Sequence, residues 1–345
     1  MSLNVIKLGG SNFKSATDYR RAAGIIEKYR KPLVVVVSAF FGVTDRLYAV
    51  CKNLLDSNDD AGALIEETCL MHLDLAAEIL SQGEFLDAAR SEVLLLECEL
   101  KKLQLGVNYI DDIPEFIVDR ILASGEKFNA CLLKYVLLDA GIETDVLLPE
   151  DIGIYTDGVR GNAGFDFRLS ENHIRNLILD EKVYIIPGFY GISQSGKITI
   201  FGRGGSDYSA ACLANCLNAS SLDIWKDVNG FMSADPKVVE DSERIQRLTY
   251  DEASELAYFG ARILHPRTME PLRNKHIPIR IFNIENQEPD DFPLTIINTD
   301  RSDCVDIIKS VTYSDDFAIL KVRGPAVGIV HGVISRITLL FEDMR

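Results

Sequence analysis

The sequence predicts an α/β protein with a largely parallel or mixed central sheet. One observation is the run LVVVV at residues 33–37, which is apolar throughout and typical of a strand covered on both faces. Another is helical spacing of apolar residues, as at 61–80 and 88–105. Such strands and helices alternate along the chain, and two of the strands run into glycine-rich turns.

The remaining elements follow from local signals. Residues 4–8 predict a strand that leads through a glycine turn into a helix, and 45–139 are mostly helical. Residues 183–186, 198–201 and 222–225 predict further strands, and 208–217 predict an Ala-rich helix. Thr249 with Glu252 three residues later is a capping box, which predicts a helix that continues to 264.

The C-terminal part has a different organisation. Residues 288–293 (EPDDFP) predict a boundary because two prolines and three acidic residues interrupt the chain there. After it, 305–312 and 317–322 predict strands, and 328–342 predict a helix. This pattern indicates the opening of a second, small α/β module that stops early.

Composition excludes several classes of function. The 345 residues carry a formal charge of −16 and no basic run, so we expect no nucleic-acid partner. No apolar run is long enough for a membrane span and no export signal is evident, so we expect no membrane partner. Seven cysteines without CxxC spacing predict neither a disulfide framework nor a protein-bound metal, which favours a cytoplasmic location.

The first glycine turn is the sharpest chemical signal. Gly9 and Gly10 permit close approach of the backbone to a ligand, and Lys7 supplies a point charge for phosphate oxygens. The pattern matches neither GxGxxG nor GxxxxGK[ST], so dinucleotide binding and a P-loop are disfavoured. A tight strand–helix turn with an exposed lysine remains the alternative explanation of this segment.

The second glycine turn spans residues 201–207 (FGRGGSD). Arg203 offers a planar guanidinium that suits a carboxylate or phosphate, and Asp207 can fix a lysine. The alternative is that Asp207 is an ordinary helix N-cap. Two such turns in one chain indicate two anionic groups held face to face, as phosphoryl transfer between two substrates requires.

Several segments resemble motifs of the amino-acid kinase superfamily and, within it, of the aspartate kinases. The resemblance runs from about residue 5 to residue 283, with the motifs in the family's order. They lie at 38–44 (SAFFGVT), 124–126 (SGE, a helix start in this comparison), 201–208 (FGRGGSDY), 224–228 (IWKDV) and 258–266 (YFGARILHP).

The resemblance implies a three-layer αβα amino-acid-kinase fold with a mostly parallel central sheet. The catalytic domain would span 1–287, with a helical insert at about 45–125. Residues 288–345 would be a linker and the start of a truncated ACT-like α+β regulatory domain. Feedback inhibition by lysine or threonine and assembly into a homodimer or higher homo-oligomer are implied in the same way.

The implied reaction is ATP-dependent phosphorylation of the side-chain carboxylate of L-aspartate, the first step toward lysine, threonine and methionine. Mg²⁺ would accompany the nucleotide phosphates. Two alternatives stay open: another amino-acid kinase, such as a glutamate or acetylglutamate kinase, and a catalytically weak amino-acid sensor of the same fold.

The resemblance also implies a role for individual residues. Lys7 and Asp207 would be catalytic, Arg203 would hold the α-carboxylate of aspartate, and Glu126 would hold its α-ammonium group. Ser38, Thr44 and Ser206 would position the reacting side chain. The nucleotide would be bound by Lys7, Gly9, Gly10, Ser11, Lys226, Asp227, Met232, Asp235, Lys237 and Arg262.

Some positions depart from the family's common pattern. They are Asn12 in the first turn, and Lys226, Met232, Lys237 and Arg262 on the nucleotide side. Because Arg and Lys are not equivalent at phosphate contacts, these changes bear mainly on nucleotide binding. His265 and Trp225 lie inside the motifs, and we expect them to be structural rather than catalytic.

Overall fold

A computed structural model describes residues 3–55, 60–110, 112–177, 180–260, 263–285, 293–300, 308–312, 320–323 and 331–342. The chain divides into two compact units, 1–312 and 313–345. In the described part of the first unit, eight strands form one sheet: β1 (Asn4–Leu8), β2 (Leu33–Val37), β3 (Thr144–Val146), β4 (Val183–Pro187), β7 (Ser221–Lys226), β8 (Arg247–Thr249), β9 (Ile279–Asn283) and β10 (Thr295–Asn298). Their order across the sheet is β3-β4-β2-β1-β7-β9-β10-β8.

The sheet is mostly parallel, as the sequence predicts. Every neighbouring pair is parallel except β9 with β10. A separate two-stranded antiparallel sheet joins β5 (Tyr190–Ile192) to β6 (Ile198–Ile200). The predicted strand at 198–201 therefore exists, but it pairs outside the main sheet.

Helices cover both faces of the sheet, which gives the three αβα layers. Along β2, Val35 and Val37 belong to one buried cluster, whereas Val34 and Val36 belong to another. Successive side chains of a strand point to opposite faces, so the apolar run of β2 serves two cores. The first cluster is covered by α1 (Ala16–Lys28), α2 (Val43–Leu55), α3 (Asp60–Ile79), α4 (Glu84–Ile110) and α5 (Glu115–Asp139).

The second cluster is covered by shorter helices: α6 (Pro149–Ile152), α7 (Phe167–Arg175), α8 (Gly205–Cys216), α9 (Tyr250–Tyr258) and α10 (Glu270–Arg273). The capping box predicted for α9 is present, with Thr249 and Glu252 exchanging side-chain and backbone bonds. The helix ends at Tyr258, however, short of the predicted residue 264. Cys212 and Cys216 are buried in α8, as expected for small packing residues.

The predicted order of strand, glycine turn and helix is confirmed at the first turn, but a second local prediction is wrong. The first glycine turn leads through a 3-10 turn (Gly10–Asn12) to α1, which begins only at Ala16, where Asp18 accepts from Lys14 N and Ser15 Oγ. The segment 124–126 lies in the middle of α5 rather than at a helix start. A Cβ at Gly125 would lie 3.0 Å from the Ala39 Cβ, so this glycine lets α5 approach the neighbouring loop closely.

The C-terminal strands are not found where the structure describes the chain. Residues 308–312 and 320–323 contain no strand, and the rest of both predicted segments lies outside the described residues. Ser310 Oγ donates to Met232 O, and Val311 N donates to Ser233 O, so these residues bond to a loop instead of a ladder. In the second unit the predicted helix is present as α11 (Val333–Glu342). The predicted boundary at 288–293 falls largely outside the described residues.

No helix among the described residues has the length and hydropathy needed to cross a membrane.

Candidate active site

A cavity of about 560 Å³ opens at the carboxyl edge of the main sheet, beside the ends of β1, β2 and β4. Ligands of open α/β sheets bind at this edge, because loops from neighbouring parallel strands converge there. The cavity is lined by Lys7, Gly10, Ser11, Ser38, Ala39, Phe40, Phe41, Gly42, Thr44, Asp45, Tyr48, Glu126, Phe189, Gly202, Arg203, Gly204, Gly205, Ser206 and Asp207. Both glycine turns therefore face one space.

A buried charge cluster lies in the wall of this cavity. Lys7 Nζ is 2.6 Å from Asp207 Oδ1, and Lys226 Nζ is 3.2 Å from Asp207 Oδ2. Burial would raise the pKa of Asp207, but Lys226 and Lys7 outweigh it and lower the pKa to about 2. Burial also lowers the pKa of Lys7, an effect that Asp207 opposes. The predicted pairing of Lys7 with Asp207 is therefore present in the fold, and the carboxylate is held ionised.

The first glycine turn leaves no room for a side chain at Gly10, where a Cβ would lie 2.8 Å from the backbone oxygen of Ala39. A Cβ at Gly9 would lie 3.2 Å from Lys7 Nζ, the movable end of a side chain. Asn12 departs from the family pattern but has a clear role, since its Nδ2 donates to Trp225 O at 2.6 Å and ties the turn to β7. The turn is thus held against both neighbouring strands while its backbone faces the cavity.

The second glycine turn brings the start of α8 to the same space. Gly202 and Gly204 have φ of +74° and +70°, a region that favours glycine. Helix α8 begins at Gly205, so Asp207 is within its first turn and is not the N-cap. A helix N-terminus attracts anions through its N–H groups and dipole.

The five predicted substrate-side residues all line this cavity: Ser38, Thr44, Glu126, Arg203 and Ser206. Glu126 is the most constrained of them, because it is only 3% exposed and its Oε2 has no hydrogen-bond partner among the described residues. Burial raises its pKa to about 8, although an N–H donated by Ala39 opposes the shift. A buried carboxyl oxygen without a partner is suited to a cationic ligand group.

The predicted nucleotide-side residues are more dispersed. The side chains of Ser11 and Lys14 both donate to the Asp227 carboxylate, that of Lys14 at 3.0 Å. Lys226 does not line the cavity, but its Nζ donates to Asp207, which does. Three others follow β7 without lining the cavity, namely Met232, Asp235 and Lys237. Arg262 lies outside the described residues.

Sequence reasoning missed two residues at the site. Lys14 pairs with Asp227 just beyond the first turn. Phe189 lines the cavity with φ of +73°, and its N–H donates to Ser209 Oγ at 2.9 Å. A positive φ at a non-glycine residue is strained and clusters at functional sites. The available signal was its position directly after β4, at the same sheet edge as the glycine turns.

Two expectations about structural residues are confirmed. His265 Nδ1 accepts from Arg267 N at 3.3 Å and caps a short 3-10 turn (Pro266–Thr268). Trp225 is buried, stacks on Phe282 with ring centroids 4.8 Å apart, and donates to Tyr29 Oη. Neither side chain lines the cavity.

Comparison with known proteins agrees with this geometry. A family model described as the amino acid kinase family matches residues 2–283. The chain belongs to this family. The bifunctional aspartokinase/homoserine dehydrogenase of Buchnera aphidicola is 29% identical over 97% of this chain, which spans 41% of that protein. The aspartokinase of Chlamydia pneumoniae is 33% identical over 81% of the chain, covering 60% of its own length.

Solved structures of this family show the same fold. Aspartokinase III of E. coli in complex with aspartate and ADP has a TM-score of 0.76 and 27% identity, over 87% of this chain and 65% of that one. The same enzyme in complex with lysine and aspartate gives a TM-score of 0.77 and 26% identity, over 87% and 66% of the two chains. This chain therefore spans about two fifths to two thirds of the length of these relatives.

Proposed function

We propose that this chain is an aspartate kinase, which transfers the γ-phosphoryl group of ATP to the side-chain carboxylate of L-aspartate. One observation carries the proposal: the Lys7–Asp207 pair, Arg203 and Glu126 all face a single cavity. An amino acid offers one group to each of Arg203 and Glu126, because Arg203 suits its α-carboxylate and Glu126 suits its α-ammonium group. Aspartate-bound relatives support this choice of substrate.

The chemistry needs no general base. The side-chain carboxylate of aspartate has a reference pKa near 3.9 and is ionised at neutral pH. The barrier then lies in bringing two anions together, which requires positioning and charge neutralisation. Lys7 would neutralise the transferring phosphoryl group, and Asp207 would hold the lysine charged and oriented. The N–H groups at Gly10 and at the start of α8 would bind phosphate and carboxylate oxygens.

The unpaired Glu126 oxygen distinguishes aspartate from acylated substrates. An α-ammonium group would supply a charged partner to this buried oxygen, whereas an N-acetyl group offers only one neutral N–H and adds bulk beside it. Acetylglutamate is therefore disfavoured as the substrate. Length disfavours glutamate, because its extra methylene would displace the reacting carboxylate relative to Lys7.

We assign the nucleotide to the side of the cavity formed by Gly10 and Ser11, with Gly9 next to them, extending toward Lys226 and Asp227. Met232, Asp235, Lys237 and Arg262 would contact its outer part. The described residues contain no cluster of three metal-binding side chains, so Mg²⁺ would arrive bound to the ATP phosphates as part of the co-substrate.

Regulation and assembly form a further part of the proposal. Catalysis would reside in 1–287, with the insert at about 45–125, and 288–345 would begin an ACT-like regulatory domain.

Lysine inhibition is supported by the lysine-bound relative, and threonine is the alternative effector. We expect a homodimer or higher homo-oligomer, which light scattering would test. Titration with lysine or threonine while the initial rate is followed would test regulation.

The deciding experiment traps the product. Acyl phosphates react with hydroxylamine, so the chain is incubated with MgATP, hydroxylamine and either aspartate, glutamate or N-acetylglutamate. We expect hydroxamate from aspartate alone and none from Lys7→Ala. Lys101→Ala, which removes a lysine that pairs with Glu66 and Glu97 away from the cavity, is the matched control that retains activity. Nucleotide binding without hydroxamate from any substrate would indicate a sensor and contradict the proposal, and normal activity in Lys7→Ala would remove Lys7 from the mechanism.

A further inference from the structure

The side chain of Arg267 connects three segments behind the second glycine turn. Its Nη1 donates to Asn162 Oδ1 and to Phe201 O, both at 2.9 Å, and its Nη2 donates to Ala163 O at 2.7 Å. Its guanidinium carbon lies 4.3 Å from the centroid of the Tyr208 ring in α8. The planar, multiply donating guanidinium can make all these contacts at once, which a lysine ammonium cannot.

The turn held by Arg267 has little conformational preference of its own. Gly202 and Gly204 both have positive φ, and Gly205 follows directly. Glycine has the greatest backbone freedom of any residue, so a turn with three of them loses much entropy when it is ordered. Arg203 lies between the first two glycines and is exposed in the cavity. Its direction therefore depends on how the ends of the turn are anchored.

The same short segment also braces the middle of the turn. A Cβ at Gly204 would lie only 2.4 Å from the His265 Cβ, so His265 packs directly on this glycine. Arg267 N donates to His265 Nδ1, which links the two contacts. Pro266 between them has a restricted φ. Segment 265–267 thus contacts the turn at Phe201 and at Gly204, on both sides of Arg203.

We propose that Arg267 is a positioning residue that fixes the second glycine turn, so that Arg203 points into the cavity and can bind the substrate carboxylate. Without Arg267, Arg203 would remain in the chain but its guanidinium would sample several directions. Lys7 lies on β1 and Asp207 within the buried helix α8, both outside the glycine turn at 202–205. The identity of the carboxylate ligand as aspartate rests on the function proposed above; the anchoring of the turn does not.

The kinetic test compares three variants. Arg267→Met keeps an unbranched apolar stem and removes the donors, and Arg267→Lys keeps the charge. Arg175→Met removes an arginine that pairs with Glu171 on α7. Misplacing a binding group by about 1 Å costs on the order of 10²-fold in rate. We expect KM for aspartate to rise roughly 10- to 100-fold in Arg267→Met, with KM for ATP within about twofold. Arg267→Lys should keep most of the defect, and Arg175→Met should behave as wild type.

A second readout does not depend on activity. Hydrogen exchange of peptides covering 201–205 should be faster in Arg267→Met than in wild type or Arg175→Met, while α8 peptides stay protected. Faster exchange in an enzyme that does not phosphorylate aspartate would sustain the anchoring role and refute the proposed function. Unchanged exchange or a normal KM for aspartate in Arg267→Met would overturn the inference about Arg267. Equal rises in the KM values for aspartate and ATP, with a matching loss of thermal stability, would also overturn it.

Discussion

Replacing Asp207 by Asn removes the negative charge that the buried Lys7 and the partly buried Lys226 share. The side chains of Lys7 and Asp207 are 6% and 7% exposed, and that of Lys226 is 18% exposed. Removing one partner of a buried ion pair leaves an uncompensated charge and costs roughly 3–5 kcal/mol. The pKa of Lys7 is already lowered by burial, and without the Asp207 carboxylate, which opposes that shift, it should fall further.

Thermal unfolding and hydroxamate formation measure the two consequences of Asp207→Asn. At about 2 °C per kcal/mol for a chain of this size, Tm should fall by roughly 6–10 °C. Activity should fall to background. Adding Lys226→Met removes one of the two unpaired charges, so Tm should partly recover while activity does not. An Asp207→Asn protein with wild-type Tm and activity would refute the account of this cluster.

The remaining predictions concern two other residues of the cavity. Glu126 has a pKa of about 8 in the folded protein, against 4.5 ordinarily, so the folded state binds its proton more tightly than the unfolded state does. The free energy of unfolding should therefore fall as pH rises from 4.5 to 8. Glu126→Gln should lack this slope and have a higher Tm at pH 8, by differential scanning calorimetry; a parallel slope in both proteins would contradict this. In wild type, KM for aspartate should fall on the order of tenfold between pH 6.5 and 8.5 as the carboxyl ionises, and a flat profile would exclude Glu126 as the ammonium site. Gly10→Ala places a Cβ 2.8 Å from Ala39 O, so kcat/KM for ATP should drop on the order of 10²-fold, whereas Gly24→Ala, where no atom lies within 4 Å, should retain activity.

The central part of the site could be predicted from the sequence because a glycine turn follows a strand at two places in the chain. Lys7 and Asp207 are far apart in the chain, yet the carboxyl end of β1 and the start of α8 meet at one sheet edge. The resemblance to a known family added Glu126, which no turn marks because it lies in the middle of α5. Phe189 could have been found from its position just after β4. Arg267 was missed because it binds backbone carbonyls of distant segments, at Phe201 and Ala163, which leave no residue pattern.

The errors in local structure have a common physical cause. Residues 308–312 have the β-branched composition of a strand, but Ser310 and Val311 bond to the loop at Met232 and Ser233. Likewise, SGE resembles a helix start, but the close contact of Gly125 with Ala39 requires a glycine inside α5. In both cases tertiary contacts outweigh the local preference of the sequence.

The most direct test of the account is a crystal structure of the chain with aspartate and a non-hydrolysable ATP analogue. It should show the aspartate α-carboxylate at Arg203, its ammonium group at Glu126, and its side-chain carboxylate facing the terminal phosphate beside Lys7. Aspartate bound away from this cavity, or a terminal phosphate remote from Lys7, would contradict the proposed chemistry.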